Sequence, residues 1–416
     1  LSEQVNQRLQ INGPRLLRWL HELGQIGGRA DGGCSRLALT DEDRRGRDYV
    51  AQRMRELGLE LSIDPIGNVF GRRVGKNSSL QPVMTGSHID TVRTGGLYDG
   101  NLGVLGGLEV VATLNEAGIC TERDLIVAFF TNEEGARFTP DMMGSLVYAG
   151  GMELQTALQT RAADGAVLGE ELKRIGYAGG APLRQFEPHA FVELHIEQGP
   201  VLDQTGLKIG AVQNLQGISW QKITIEGQSN HAGTTPMSMR RDAGYCASAI
   251  ATFVRALASE MGGDQVATVG QIDLVPNLIN VIAASACLTV DLRNTDEGLL
   301  QTAEARLKVF LQELAQAEKV SITSERLVRF EPVQFDMSLV ELIEEQAQAL
   351  ELSVCRMTSG AGHDAQMMAR ICRAAMIFVP SVAGISHNPA EHTEPDDLVA
   401  GCDVLLGCLL RLANSS

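Results

Sequence analysis

Aromatic side chains make up only 4% of this 416-residue chain, and no run of about 18 uninterrupted apolar residues occurs in it. The second absence argues against a transmembrane helix, so no membrane partner is expected. Positive charge is scarce as well: 35 Lys and Arg stand against 51 Asp and Glu, a formal charge of -16. A nucleic-acid binder needs clustered Lys and Arg to displace counterions, and this balance argues against one. The acidic excess reads as a solubility feature. The eight cysteines (Cys34, Cys120, Cys246, Cys287, Cys355, Cys372, Cys402 and Cys408) form no Cys-x-x-Cys pair, and several have apolar neighbours. They read as buried free thiols in a reducing, cytoplasmic compartment. Residues 1–20 follow a helical polar/apolar spacing and lack the basic head and apolar run of a signal peptide.

What the chain does have is five short polar motifs, each at the end of an apolar run: Gly86-Ser87-His88-Ile89-Asp90, Tyr98-Asp99-Gly100, Asn132-Glu133-Glu134-Gly135, Glu193-Leu194-His195-Ile196-Glu197-Gln198-Gly199 and Ile385-Ser386-His387-Asn388-Pro389. Three imidazoles and several carboxylates are the ligand set for two divalent ions that share a bridging carboxylate. Such a pair activates water at neutral pH and polarises a carbonyl, so the motifs point first to a metal-dependent hydrolase. Histidine and carboxylate ligands suit Zn, Mn, Co or Ni and do not choose among them.

The apolar runs place these motifs on an α/β framework. Residues 1–60 read as helical, with Asp41-Glu42-Asp43 opening an amphipathic stretch that Gly58 closes. Short strands are expected at 59–64 and 68–74, and a further one at 82–86 running into His88. A helix over 102–114, whose Gly103, Gly106 and Gly107 permit close packing on a sheet, precedes the buried strand 125–130. Strands at 190–194 and 374–379 complete a pattern in which polar residues crowd the C-terminal ends. That is an open α/β sheet with its site along one edge. Residues 211–325 differ. Strand 220–226, helix 242–261, strands 266–273 and 281–293, helix 299–319 and strand 320–324 spell the β-α-β-β-α-β order of a ferredoxin-like α+β sandwich. The expected organisation is therefore a discontinuous catalytic domain, 1–210 and 326–416, with 211–325 inserted as a lid or dimerisation domain. Hinges are expected near Gly210 and Arg329.

Taken singly, most of these residues have plain structural readings. A histidine at a strand end, such as His88, is commonly just hydrogen-bonded, although Asp90 two residues on could fix its tautomer. Asp99-Gly100 alone is a turn signal. Glu133-Glu134 carries more information. Adjacent carboxylates after a buried strand repel one another and lose hydration, a cost that a cation on one and a reacting water on the other would relieve.

The motifs, in this order, resemble those of the zinc aminopeptidase-like metallopeptidases and amidases. More narrowly, the chain is similar to the amidase/hydantoinase/carbamoylase branch: N-carbamoyl-L-amino acid hydrolases, allantoate amidohydrolases and β-ureidopropionases. The likeness runs from Gly32-Gly33-Cys34-Ser35-Arg36-Leu37 to Ser386-His387-Asn388-Pro389-Ala390-Glu391. It is most specific at Leu194–Gly199, Asn230-His231-Ala232-Gly233-Thr234-Thr235-Pro236 and Gly360-Ala361-Gly362-His363-Asp364.

The resemblance implies a dinuclear centre of two divalent ions per subunit, bridged by Asp99. His88 and His195 would complete one site, Glu134 and His387 the other. Glu133 would be the general base, moving a proton from the attacking water to the leaving nitrogen. Asp90 would support His88. Many dinuclear peptidases of the superfamily carry a carboxylate where this chain has His195, and the imidazole is typical of the carbamoylase branch. His231 would stabilise the oxyanion, reaching into a partner subunit's site, although by itself it reads as the cap of a turn. Arg293 would grip a substrate carboxylate in a fork, with Asn280 and Gln198 on the ureido group or carboxylate. Gly360, Ala361 and Gly362 would line the pocket, and closure of the insert would bring Arg293 and Asn280 over the metals. The expected substrate is a small ureido compound bearing a carboxylate, foremost an N-carbamoyl-L-amino acid, then allantoate, then β-ureidopropionate. The expected assembly is a homodimer through the inserted domain.

Overall fold

The computed structural model describes residues 9–415, which form two compact units. One runs to Gln213 and resumes at Phe335; the other is Asn214–Gln334.

The first unit is built on a sheet whose four central strands are parallel, in the order Leu125–Phe130, Val83–His88, Ala190–Ile196, Arg373–Val379. Almost every residue in these strands is buried, as an apolar Val/Ile/Phe run covered on both faces requires. Antiparallel strands flank them: Val69–Arg73 and Glu60–Ile63 at one edge, Ile209–Leu215 at the other. Helices Asn101–Glu116 and Pro395–Ala413 pack together against the sheet, while short helices Met143–Tyr148 and Asp364–Met368 lie against each other and the strands. The glycines of the first helix do what their spacing suggested. A Cβ on Gly103 would lie 2.6 Å from the Leu194 carbonyl oxygen, and one on Gly107 would lie 2.9 Å from the Thr85 methyl. That close approach seats the Asp99 turn, which precedes this helix, beside the strand that carries His88.

The second unit is a four-stranded antiparallel sheet in the order Ser321–Phe330, Gly217–Glu226, Ser285–Asn294, Val266–Val275. In chain order this is fourth, first, third, second, the arrangement of the split βαβ sandwich. Helices Ala243–Met261 and Glu297–Glu318 bury Ile250, Val254, Leu257, Leu300, Leu307 and Leu311 against Ile223, Ile225, Leu288, Val290 and Leu292 of the sheet. Burial alternates along Ser285–Asn294, as a strand with one covered face demands.

Three details depart from the sequence expectations. The last strand continues to Phe330, because Val328 and Phe330 are buried and pair with Trp220 and Ile218 across a bulge. The sequence reading ends this strand at Ser324. Both expected hinge positions therefore fall inside paired strands: Gly210 opposite Phe378, and Arg329 opposite Ser219, with ion pairs to Glu297 and Glu304. The seam lies instead at 213/214 and 334/335. The expectation of helix over 1–60 holds for Gly13–Gly24 and Asp41–Glu56, with no helix between them; residues 1–8 lie outside the described residues.

Candidate metal centre

The C-terminal ends of the four parallel strands converge on Asp99. Its Oδ1 lies 3.4 Å from His88 Nε2 and 3.2 Å from His195 Nε2, while its Oδ2 lies 3.5 Å from His387 Nε2. His387 Nε2 is also 3.3 Å from Glu134 Oε2. These atoms make two ligand groups, His88/Asp99/His195 and Asp99/Glu134/His387, that share only Asp99. Around a tetrahedral ion with ligand bonds of about 2.0–2.2 Å, neighbouring ligand atoms stand about 3.4 Å apart. The observed separations match the edges of such tetrahedra, one on each oxygen of Asp99. The donor set therefore fits two ions.

Local structure aims each ligand. His88 closes its strand and directs Nδ1 to the Asp90 carbonyl oxygen at 2.9 Å; His195 directs Nδ1 to the Ile196 carbonyl oxygen at 2.8 Å. An Nδ1–H donated this way leaves the Nε2 lone pair facing Asp99, the tautomer a metal needs. Gly100 precedes the Asn101–Glu116 helix with φ of 64°, and a Cβ there would sit 2.5 Å from the His88 ring. Glycine thus answers both a backbone and a packing demand. Asn132, Gln198 and His387 also have positive φ (56°, 57° and 53°), so left-handed, non-glycine backbone gathers around the site. The Asp90 carboxylate takes the backbone N–H of Glu133 on one oxygen and of Glu134 on the other.

Without cations the carboxylates share protons with the imidazoles. Burial opposes a charge on His88, but Glu133, Asp99 and Asp90 outweigh it and hold its pKa well above the ordinary value. His195 is raised against the same opposition by Asp99 and Glu193. His387, hydrogen-bonded to Asp99 and Glu134, rises to about 10. Burial pushes Asp99 upward, yet its contacts with His195, His387 and His88 bring it well below the carboxylate range. Glu133 goes the other way: burial, with Asp364, Glu134 and Asp99 adding to it, raises it well above the usual value despite His88. Burial likewise pushes Asp90 up to about 6. A dense anionic pocket that must borrow protons is one that divalent cations would neutralise.

Glu133 reaches within 3.4 Å of His88 Nε2 and is 7% exposed, so it faces the first ligand group without belonging to it. Gln198 donates its amide to Asp99 Oδ2 at 2.7 Å. Gly360, Ala361 and Gly362 follow strand Val354–Ser359, in a loop whose Ala361 carbonyl accepts the Ser359 hydroxyl. The next residue, His363, sets its ring 4.5 Å from that of His195.

Three expected residues lie in the second unit. His231 Nδ1 accepts the backbone N–H groups of Gly233 and Thr234, and its backbone is bridged to Val281, so His231 and Asn280 share one corner. Arg293 sits near the opposite end of strand Ser285–Asn294 and is paired with Asp291 at 2.8 Å. Eight residues of strand span about 27 Å. The ladder continues past Ser285 through Gly227 N–H to Ala284 O and Ala232 N–H to Asn280 O, so Asn280 is farther still from Arg293. One closing movement of one insert cannot bring both onto the same small ligand, which corrects the expected joint closure.

Sequence reasoning missed three supports. Glu193 takes the Ser87 hydroxyl at 2.6 Å and the Ala365 N–H at 2.8 Å, tying the His88 and His195 strands together beneath the ligands. Its position two residues before His195, on the same sheet face, was the available signal. Arg36, wholly buried, donates to the carbonyls of Ile89, Leu23 and Ile26 and to Asn101 Oδ1. Glu391 accepts the backbone N–H groups of Tyr98 and Asp99. These last two stand in motifs that carry the resemblance, but nothing local shows which backbone groups they reach.

The chain is similar to known proteins over nearly its whole length. The model of Peptidase family M20/M25/M40 matches residues 84–411. An N-carbamoyl-L-amino-acid amidohydrolase of Rhizobium meliloti is 40% identical over 404 residues, covering 97% of each chain. A ureidoglycolate hydrolase of Arabidopsis thaliana is 35% identical, covering 99% of this chain and 89% of its own. An allantoate amidohydrolase of Bacillus subtilis is also 35% identical, covering 95% of this chain and 96% of its own. Among solved structures, an amidase of the hydantoinase/carbamoylase family from Burkholderia multivorans superposes with a TM-score of 0.91 at 42% identity, covering 98% of this chain and 99% of that one. No helix among the described residues is long and apolar enough to cross a membrane. With His, Asp and Glu groups at the strand ends that could hold metal and relatives that span its length, the chain belongs to Peptidase family M20/M25/M40 and, within it, to the amidohydrolases that act on C–N bonds.

Proposed function

We propose that this amidohydrolase cleaves the ureido C–N bond of N-carbamoyl-L-amino acids. One water is consumed, and the products are the L-amino acid, ammonia and carbon dioxide. The observation that carries the reading is the division of labour at Asp99, whose two oxygens face separate histidine sets at tetrahedral spacing. Two divalent ions held there would lower the pKa of a water and polarise the ureido carbonyl.

The chain's own residues do the rest. Glu133 takes a proton from the attacking water and delivers it to the leaving nitrogen, a role that its buried carboxyl beside His88 supports. Asp90 fixes the backbone of Glu133 and Glu134. Gln198, already donating to Asp99, has a carbonyl oxygen left over for a ureido N–H. Gly360–Gly362 line the pocket. Arg293 grips the substrate carboxylate with its fork, exchanging Asp291 for it.

The insert, here 214–334, acts as lid and dimerisation domain. The separation of Arg293 from the His231–Asn280 corner supports a shared site: Arg293 serves its own chain's metals, while His231 and Asn280 serve the partner's. The exposed Ile272 and Val275 on the edge strand and Leu278 and Ile279 beyond it support a two-fold contact there.

The test is ammonia release by metal-loaded protein from N-carbamoyl-L-methionine, its D-enantiomer, allantoate and β-ureidopropionate. Preference for the L-carbamoyl compound supports the reading. Preference for allantoate would keep the mechanism and move the substrate to the relative with that name. Inactivity on all four sinks the substrate assignment.

A further inference from the structure

Of the three metal-facing imidazoles, His387 is the least constrained. The rings of His88 and His195 are each fixed through Nδ1 by a backbone carbonyl, and both residues are 1% exposed. Among the described residues nothing holds Nδ1 of His387, and its side chain is 51% exposed. Apart from the contacts of Nε2 with Asp99 and Glu134, its direction comes from its backbone, which is left-handed with φ of 53°. A flexible ring on an exposed loop loses orientation easily, so something must hold that loop.

Glu391 is buried four residues on, 6% exposed. Its Oε1 accepts the N–H of Tyr98 at 3.0 Å and of Asp99 at 3.2 Å; its Oε2 accepts the Ser386 hydroxyl at 3.1 Å. Glu391 N–H donates to the Asn388 carbonyl at 3.0 Å, closing the turn that follows His387. Gly96 leaves room for the carboxylate, since a Cβ there would fall 2.2 Å from Oε1. One side chain thus joins the backbone of the bridging ligand to the residue before His387.

We propose that Glu391 is a positioning residue for the Asp99/Glu134/His387 half of the centre, setting the second metal site while leaving the first to its own carbonyl anchors. The proposal rests on the two-ion reading above. It works through geometry, so a glutamine should serve: its oxygen would accept both N–H groups and its amide would donate to Ser386. Alanine cuts the tie.

The experiment is equilibrium dialysis of chelator-stripped full-length protein against Zn2+, with bound metal counted by elemental analysis. Wild type is expected to load in two steps. Glu391→Ala should leave the first step in place and weaken the second on the order of 10–100-fold, the usual cost of losing an outer-shell partner. Glu391→Gln should restore the second step. An unchanged second step in Glu391→Ala overturns the proposal, as does equal weakening of both steps, or a glutamine variant as weak as the alanine one. If Glu391→Ala does not fold, Ser386→Ala cuts the same tie from the other side and must weaken the second step alone; otherwise the proposal fails. A wild type that loads a single ion removes the two-ion reading itself and this proposal with it, an outcome distinct from the variant failures.

Discussion

Asp90 grips the backbone of Glu133: its Oδ1 accepts that residue's N–H at 3.2 Å, while Oδ2 does the same for Glu134 at 3.3 Å. A carboxylate suits this place because both of its oxygens are acceptors. An asparagine would turn an amide N–H toward one of two backbone N–H groups, donor against donor. Asp90→Asn should therefore lower kcat at least ~10-fold with the protein still folded, as misplacing a reacting group does. Steady-state kinetics together with circular dichroism check it, and wild-type kcat would show the grip to be dispensable.

Glu133 stands beside the first ligand group without being one of its members. Glu133→Gln should keep the metal content and lower kcat by ~100-fold or more, within the range for losing a general base. Elemental analysis and turnover on one preparation decide between a base and a ligand, since loss of an ion would mean the latter.

Metal affinity should depend on pH with a definite sign. His387, at about 10, carries a proton at pH 7 in the metal-free protein, and the pKa values of His88 and His195 are raised as well; an ion must displace such protons. Affinity should rise with pH, and Zn2+ added to stripped protein in weak buffer near pH 7 should acidify it. For the metal-free fold the linkage is reversed. The folded pKa of His387 exceeds the ordinary 6.5, so the stability it lends is complete below 6.5 and disappears as pH climbs through about 10. The stripped protein should thus lose Tm over that window, whereas the loaded protein should not lose it from this source. Metal uptake without proton release would contradict the assignment of these histidines.

Arg293 offers a planar fork that a lysine cannot imitate. Arg293→Lys should raise KM for the best substrate ~10-fold or more and change kcat little, the signature of lost ground-state binding. An unchanged KM would remove Arg293 from the carboxylate clamp.

Gly100 supports the first site by what it lacks. Gly100→Ala would combine a left-handed φ with a methyl 2.5 Å from the His88 ring. The ring must then swing off Asp99, so the tighter metal-binding step should be the one lost. Dialysis with metal counting reads this directly, and full retention of both ions would show that the ring tolerates the shift.

Much of this was legible in the chain itself. The central strands are apolar runs, as in Leu125–Phe130, that can be buried only between two layers, and each ends at or near a polar motif; the pattern offered the candidate donors, and the family resemblance implied how they divide. The β-α-β-β-α-β order of the insert was also readable, because alternating burial in strands and longer helical periods are properties of local sequence. Tertiary structure decided the rest. The sequence reading ends the last strand at Ser324, and only pairing with Ile218–Lys222 carries it on to Phe330. Arg36 and Glu391 reach backbone groups 53 and 292 residues away, and no local pattern encodes a hydrogen bond across such intervals. The strand that holds Arg293 eight residues from Ser285, with Asn280 beyond its start, sets a distance that spacing in the chain could not, because the same thirteen steps can also fold back on themselves. Sequence supplied the chemical inventory, since donor atoms belong to residue types. The fold decided which oxygen of Asp99 meets which imidazole, since that depends on strand register and backbone angle.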